Sequence, residues 1–162
     1  MSQTAVIYMK ADFVNPFLVA FMDVLGTMAQ VELTHGQAER KDDSLAHGDV
    51  FGVVGMVGPQ IKGSFAVSFD EKLALKTFAN MLGEQLSEID DQISDMVGEI
   101  TNMVCGGAKR ELGERGYEFE MATPSVISGE SHSIHHKVDG PRILMPFESD
   151  FGKAYLEICF ND

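Results

Sequence analysis

Two carboxylates, an amide and a glycine fall on one side of the longest periodic segment of the chain, residues 89 to about 113. At roughly 100° per residue, Asp95, Glu99, Asn102 and Gly106 lie within an arc of about 40 to 60°. Apolar residues collect on the opposite side, which predicts an amphipathic helix with one buried face. That face comprises Ile89, Ile93, Met96, Ile100, Met103 and Val104, with Val97 at its margin. The polar groups therefore share a solvent-facing surface that could bind, or act on, a group carried by another molecule.

Three glycines inside this predicted helix need an explanation, because each interior glycine costs on the order of 1 kcal/mol relative to alanine. Gly107 falls near the core side and could allow close packing on the sheet. Gly98 and Gly106 flank Glu99 and Asn102, where no core explains them. Their missing side chains would let a partner's backbone or active site come very close. The pattern alone leaves both a functional surface and an ordinary solvated helix face open.

Two other groups of residues could carry chemistry. The segment from Ser131 onward contains His132, His135 and His136, and imidazoles are common metal ligands. Their spacing fits no helical histidine pair and no partner carboxylate is identifiable, so exposed turn positions are the favoured interpretation. Cys105 has no evident histidine partner, and burial by the helix is the simpler account. We therefore predict no metal site in this chain.

The pattern before this helix predicts a helix, a strand, a loop, a hairpin and a second helix. Asn15 and Pro16 would begin the first helix, residues 13 to 29, although Asp12 could cap an earlier start. Turn residues Gly58 and Pro59 predict a hairpin between two β-rich runs, and Asp70 caps a helix that stops at Gly83. The predicted ranges are a strand over 31–37, a charged loop over 39–44 and hairpin strands over 49–57 and 61–69.

Strands return beyond Gly116, over residues 117–121 with 125–128, then 142–147 and 154–160. The predicted order is α-β-β-β-α-α-β-β-β, in which a helix followed by three strands occurs twice. Runs of strands with helices between them indicate the α+β class, an antiparallel sheet covered by long helices, rather than a doubly wound parallel sheet. We expect one domain, residues 1–162, with pseudo-duplicated halves.

Composition excludes several classes of function. The chain has 162 residues and a formal net charge of −13, from 25 acidic and 12 basic residues. This balance disfavours nucleic acid and anionic membrane surfaces as partners, since both attract Lys and Arg. The N-terminus does not read as a signal peptide and no apolar run is long enough to cross a membrane, so we expect a cytoplasmic protein. Cys105 and Cys159 are expected to be buried and reduced.

The run from Ser94 to Met103 resembles the signature of the CheX/CheC/FliY phosphatases: an Asp or Ser, three residues, a Glu, two residues and an Asn on a long surface helix. Two further stretches are similar to the CheX branch, residues 63–69 leading into the second helix and residues 123–129 after the third. CheC members carry the motif in both halves, whereas the first helix here has Ala20, Met22, Asp23 and Gly26 and no such motif. The resemblance implies one site per chain.

The resemblance implies a phosphatase that hydrolyses the aspartyl phosphate of a CheY-like receiver domain. Asn102 would orient the attacking water, since an amide both donates and accepts hydrogen bonds. Glu99 would pair with the receiver's active-site lysine, and Asp95, Gly98 and Gly106 would belong to the docking surface. Mg²⁺ would sit in the receiver, so this chain would need no cofactor of its own. A homodimer that joins sheets edge to edge is also implied.

A second interpretation assigns the same surface to a non-catalytic module that binds a receiver domain or another signalling partner. Asp95, Glu99 and Asn102 are all present, and a protein that only binds need not keep the water-orienting amide. The sequence therefore favours the enzyme over the binding module.

Overall fold

The computed structural model describes residues 11–41, 47–59, 62–129 and 142–161, which form three helices and an eight-stranded antiparallel sheet. The helices are α1 (Ala11–Ala29), α2 (Glu71–Leu82) and α3 (Asp91–Glu114). The strands are β1 (Thr34–His35), β2 (Glu39–Lys41), β3 (Val50–Val57), β4 (Lys62–Phe69), β5 (Glu120–Met121), β6 (Ser125–Ser128), β7 (Arg142–Glu148) and β8 (Lys153–Asn161).

The strand order of the sheet has an internal symmetry that relates the first four strands of the chain to the last four. It runs β1-β7-β8-β4-β3-β5, with β2 also paired to β7 and β6 also paired to β3, and every pair is antiparallel. Strands β1 to β4 and strands β5 to β8 thus take equivalent places about the central β4–β8 pair. The α+β class, the antiparallel sheet and the pseudo-duplicated halves are confirmed, and the observed order of elements differs from the prediction in its short extra strands.

Local capping sets the bounds of α2 where the sequence predicts them. Asp70 Oδ1 accepts a hydrogen bond from the Leu73 backbone N–H at 2.8 Å. Asp70 Oδ2 accepts one from the Lys153 backbone N–H at 2.8 Å, which ties the start of α2 to β8. Gly83 ends the helix at φ 74°, a left-handed conformation that glycine adopts without a Cβ penalty.

Helix α1 begins earlier than the predicted Asn15–Pro16 start. It includes Ala11, so Pro16 lies inside it. A proline there removes one backbone hydrogen bond. Phe13 and Val14, in the turn before the proline, are buried in the core, and the Phe13 ring lies 5.5 Å from that of Phe17. Burial of two large apolar side chains, at about 1.5–3 kcal/mol each, outweighs the lost bond.

The segment predicted as a charged loop contains strand β2, so that prediction was wrong for residues 39–41. Arg40 lies opposite Ile143 of β7 in an antiparallel pair. The buried Lys41 Nζ lies 2.5 Å from Oε1 of the buried Glu157 on β8. A charged sequence is typical of a loop, but here the pairing partners come from the distant end of the chain. The predicted strand over 31–37 is likewise reduced to Thr34–His35, although Val31 and Leu33 are buried as their alternation indicates.

The three helices cover one face of the sheet and enclose the main core. Phe17 and Phe21 of α1 project onto the sheet, where the Phe17 ring lies 4.8 Å from Phe65 and the Phe21 ring lies 5.8 Å from Phe69. Helix α3 packs beside α1 and against strands β3, β4 and β6. No helix among the described residues is long and apolar enough to cross a membrane.

Close contacts at small residues fix how α3 lies on the sheet. The Thr101 side chain is buried against Gly52 of β3, and its hydroxyl donates to the Val97 carbonyl at 2.7 Å. A Cβ added at Gly52 would lie 3.2 Å from the Thr101 Cβ and would overlap the Thr101 Oγ1. Only glycine therefore lets α3 approach this strand so closely.

We predict that Gly52→Ala lowers the free energy of unfolding by about 1–3 kcal/mol, because the new methyl group overpacks the contact with Thr101. Gly55→Ala in the same strand is the matched control, since a Cβ there meets nothing within 4 Å. Urea unfolding of both variants measures the difference. Equal stability of the two variants would contradict this account of how α3 is positioned.

Candidate active site

The α3 helix begins at Asp91, directly after its N-cap residue Asp90. Asp90 Oδ1 accepts a hydrogen bond from the Ile93 backbone N–H at 3.1 Å, which satisfies one of the free donors of the first turn. The helix then runs to Glu114, close to the predicted range. The predicted core side is buried at Ile93, Met96, Val97, Ile100 and Val104. It is only half-buried at Met103 and at Ile89, and Ile89 precedes the helix.

The predicted polar surface is present on the outer side of α3. Asp95 and Glu99 are exposed, and Asn102 is half-buried. Among the residues that the structure describes, none of these three side chains has a hydrogen bond or an ion pair. A carboxylate and an amide one turn apart are therefore available to a molecule that approaches from solvent.

The glycines of α3 have different surroundings. A Cβ at Gly106 would meet nothing within 4 Å, so the backbone there is bare on the exposed side. A Cβ at Gly107 would lie 3.4 Å from the Ala20 Cβ, so Gly107 allows packing on helix α1 and not on the sheet as predicted. A Cβ at Gly98 would lie 3.3 Å from Val126 Cγ2 of strand β6. The expectation that no packing explains Gly98 was therefore wrong.

Helical winding relates these contacts to the exposed surface. Asn102 lies on the side of α3 that faces β6, since Gly98 is one turn before it. Met103 and Gly107 lie on the side that faces α1. Glu99 lies between the two sides and is the more exposed member of the pair. The site is thus an open helical surface bordered by β6 and α1, and no enclosed cavity is needed to explain its shape.

Burial makes Cys105 unsuited to nucleophilic chemistry. The thiol is buried one turn from Thr101, and this burial raises the pKa of Cys105 from 9.0 to about 12, while nearby Lys109 lowers it. At neutral pH the thiol stays protonated, and only the thiolate is a strong nucleophile. Burial of Cys105 and Cys159 is confirmed.

The residues that the structure describes contain no group of three or more His, Cys, Asp and Glu side chains that could hold a metal ion. The histidines at 132, 135 and 136, which we predict to be turn residues, lie outside the described residues.

Sequence reasoning missed the Gly52–Thr101 contact, which positions the whole helix. The available signal was a glycine in the interior of a strand, which often marks close approach of another element. The residue that contacts Gly52 could not be identified from the sequence, because Thr101 lies far along the chain and its position in an amphipathic helix is not distinctive.

Comparison with known structures gives first the class of the protein. A CheC-like superfamily protein from Shewanella sp. PV-4 superposes with a TM-score of 0.88 and is 55% identical, over 93% of this chain and 98% of that chain. The same fold occurs in the CheX–CheY–BeF3–Mg²⁺ complex from Borrelia burgdorferi, with a TM-score of 0.78 and 25% identity over 93% and 98% of the two chains. The fold and the 55% identity therefore define a member of the CheC-like superfamily.

The family follows from the sequence. The family model described as chemotaxis phosphatase CheX matches residues 50–148, which include α3 and the strands on which it packs. The CheY-P phosphatase CheX of Thermotoga maritima is 25% identical over 127 residues, which are 78% of this chain and 81% of that protein. This chain belongs to the CheX family, as the resemblance implies.

Proposed function

We propose that this chain is a phosphatase that hydrolyses the aspartyl phosphate of a CheY-like response-regulator receiver domain. The observation that supports this most directly is the exposed Glu99 carboxylate and the half-buried Asn102 amide on α3, neither of which has a partner among the described residues of the chain. Two relatives support the choice of substrate, one named a CheY-P phosphatase and one solved in complex with CheY. Such a substrate implies that the protein acts in the cytoplasm.

In the proposed reaction, the oxygen of a water molecule attacks phosphorus while the bond from phosphorus to the aspartyl oxygen breaks. The products are a free carboxylate and inorganic phosphate. An in-line attack of this kind requires an oriented water and neutralisation of the developing charge. Mg²⁺ in the receiver would supply part of that neutralisation. No metal bound to this chain is required.

Asn102 would orient the water. Its amide oxygen can accept a hydrogen bond from the water, and its NH₂ group can donate one to a phosphoryl oxygen. Glu99 would pair with a lysine of the receiver and so fix the approach of α3. Asp95, one turn before Glu99, would make a lesser contact on the docking surface. Gly98 and Gly106 would belong to the same surface, although Gly98 also has the packing contact with Val126.

A module that only binds a receiver is the less supported alternative. Asn102 is half-buried and has no partner among the described residues. The proposed hydrolysis needs such an amide to orient the water, whereas docking alone would not need it. The CheX of Thermotoga maritima is moreover named as a phosphatase.

We predict that Asn102→Asp and Asn102→Ala each lower the rate of phosphate release by about 100-fold or more, because either change removes the N–H donors near the water. Glu99→Gln is expected to lower the rate as well, mainly through weaker docking. Release of phosphate from a phosphorylated receiver measures all three.

Glu114→Gln serves as the control for these variants, since it removes an exposed carboxylate from the far end of the same helix. Circular dichroism checks that each variant is folded. Full activity of folded Asn102→Ala would remove Asn102 from the mechanism.

Gly106→Ala offers a test in which stability and activity move in opposite directions. Alanine in an exposed helix interior stabilises by up to about 1 kcal/mol relative to glycine, and the space at Gly106 is open. Phosphate release should nevertheless fall, because the methyl group would stand where the receiver approaches. Gly26→Ala in α1 is the matched control, since this glycine also lies inside a helix and a Cβ there meets nothing within 4 Å. An equally active Gly106→Ala variant would place the docking surface elsewhere.

We further propose a homodimer joined along an edge of the sheet, which would cover unpaired strand edges. The β6 edge carries the partly exposed Ile127, and the neighbouring β3 ends at the exposed Val57. Sedimentation equilibrium should therefore give twice the chain mass of 17.7 kDa. Ile127→Lys is expected to shift the equilibrium toward the monomer, whereas Val19→Lys on α1 should not. A monomer for the unaltered chain at micromolar concentration would contradict the proposal.

A further inference from the structure

Beyond the motif, the exposed side of α3 carries a cation, Arg110. It lies eleven residues after Glu99, which is three helical turns and about 20° of net rotation, so the two residues face the same direction. The rise along the axis between them is roughly 16 Å. One protein partner seated on Glu99 and Asn102 would be wide enough to reach Arg110 as well.

Arg110 lies between two glycines, so the helix surface on either side of it carries no side chain. Gly106, one turn before it, and Gly113, one turn after it, both have open space where a Cβ would be. The guanidinium Nη2 lies 3.9 Å from the position of an added Cβ at Gly107. The side chain therefore extends back over the preceding turn of α3, on the α1 side of the exposed surface, as long helical side chains do.

Arg110 has no interaction partner among the described residues, although the chain carries 25 acidic residues. The neighbouring cations differ. Lys109 lies 3.5 Å from Oε2 of Glu120, and Arg115 lies 3.0 Å from Oε1 of Glu111. An exposed guanidinium that the described part of an acidic chain does not pair is available to a carboxylate of another molecule.

The charges along this side of α3 differ between its two halves. Asp91, Asp95 and Glu99 give the N-terminal half acidic groups alone, whereas the C-terminal half carries Arg110 together with Lys109 and Glu114. A receiver site that holds Mg²⁺ must itself be rich in carboxylates, because Mg²⁺ prefers oxygen ligands. Approach of such a partner to a chain of net charge −13 is unfavourable at long range. A local cation on the docking side offsets this repulsion and also fixes the orientation of the partner.

We infer that Arg110 is a docking residue that binds an acidic side chain of the receiver outside its phosphorylation pocket. Together with Glu99 it sets the direction in which the receiver lies along α3. The inference rests on the proposed function for the identity of the partner, but it concerns binding and not the chemical step.

Binding of a CheY receiver domain loaded with Mg²⁺ and beryllofluoride tests the inference. Arg110→Glu should raise Kd by about tenfold at low salt, and Arg110→Gln by a smaller factor, since exposed charges act mainly on association and its salt dependence. The loss should shrink at high salt, where such charges are screened. Lys72→Glu on α2 is the matched control, because it makes the same change of charge at an exposed site on another helix.

Equal weakening by Lys72→Glu and Arg110→Glu would overturn the inference, because the effect would then reflect net charge alone. A charge exchange between the two proteins would support the inference. A receiver in which one Asp or Glu is changed to Lys should bind the Arg110→Glu variant tightly again, but should not restore binding of the Glu99→Lys variant.

The failure of this inference is distinguishable from the failure of the proposed function. Tight binding that depends on Arg110, without phosphate release by the unaltered protein, would support the docking role and overturn the phosphatase. If the unaltered protein releases phosphate and the Arg110→Glu variant binds the receiver as tightly as the unaltered protein, the phosphatase is supported and the docking role of Arg110 is overturned. Absence of any binding by the unaltered protein would overturn both.

Discussion

The close seating of α3 on the sheet is the constraint on which the rest of the site depends. Gly52 accepts the buried Thr101 beneath the helix, Gly98 lies against Val126 on one side, and Gly107 lies against Ala20 on the other. These contacts fix the rotation of α3 about its axis, and a helix whose rotation is fixed presents one defined set of residues to solvent. Glu99 and Asn102 face outward because Thr101 faces inward. The positions of the functional groups therefore follow from packing at glycine and threonine, and the polar residues need no interactions with their own chain to hold the surface open.

This arrangement suits an enzyme that completes its active site with a partner. The described part of the chain offers no metal cluster and no activated nucleophile, since Cys105 is buried with a raised pKa. It offers a rigid helix with an amide, carboxylates and a cation at fixed spacings along about four turns. Such a surface lowers the cost of binding because its backbone is already ordered. The phosphoryl group and its metal would come with the receiver, and in the proposed mechanism this chain would orient a water and hold two proteins in one geometry.

Local signals predicted much of the fold and of the site. The bounds of α2 follow from Asp70 and Gly83, and the exposed position of Glu99 follows from the helical period alone.

Non-local pairing explains the predictions that were wrong. Strand β2 was missed because its partners are β7 and, through Lys41, Glu157 near the other end of the chain. Gly98 was assigned to the surface because Val126 reaches it from a separate strand. The early start of α1 depends on burial of Phe13 and Val14, which no capping signal reports. The winding that identified Asn102 also places Arg110 on the same side of α3 as Glu99, but only the contacts reveal that Arg110 is unpaired within the described residues.

The number of receivers dephosphorylated by each molecule of this protein tests the central claim most directly. A phosphorylated CheY-like receiver would be mixed with the protein at one-hundredth of its concentration, and phosphate release would be followed over the spontaneous background. The account predicts many turnovers per molecule, since nothing on α3 is consumed in the reaction. Release that stops at one phosphate per chain, or that never rises above the background while the two proteins bind, would contradict it and leave a binding module in place of an enzyme.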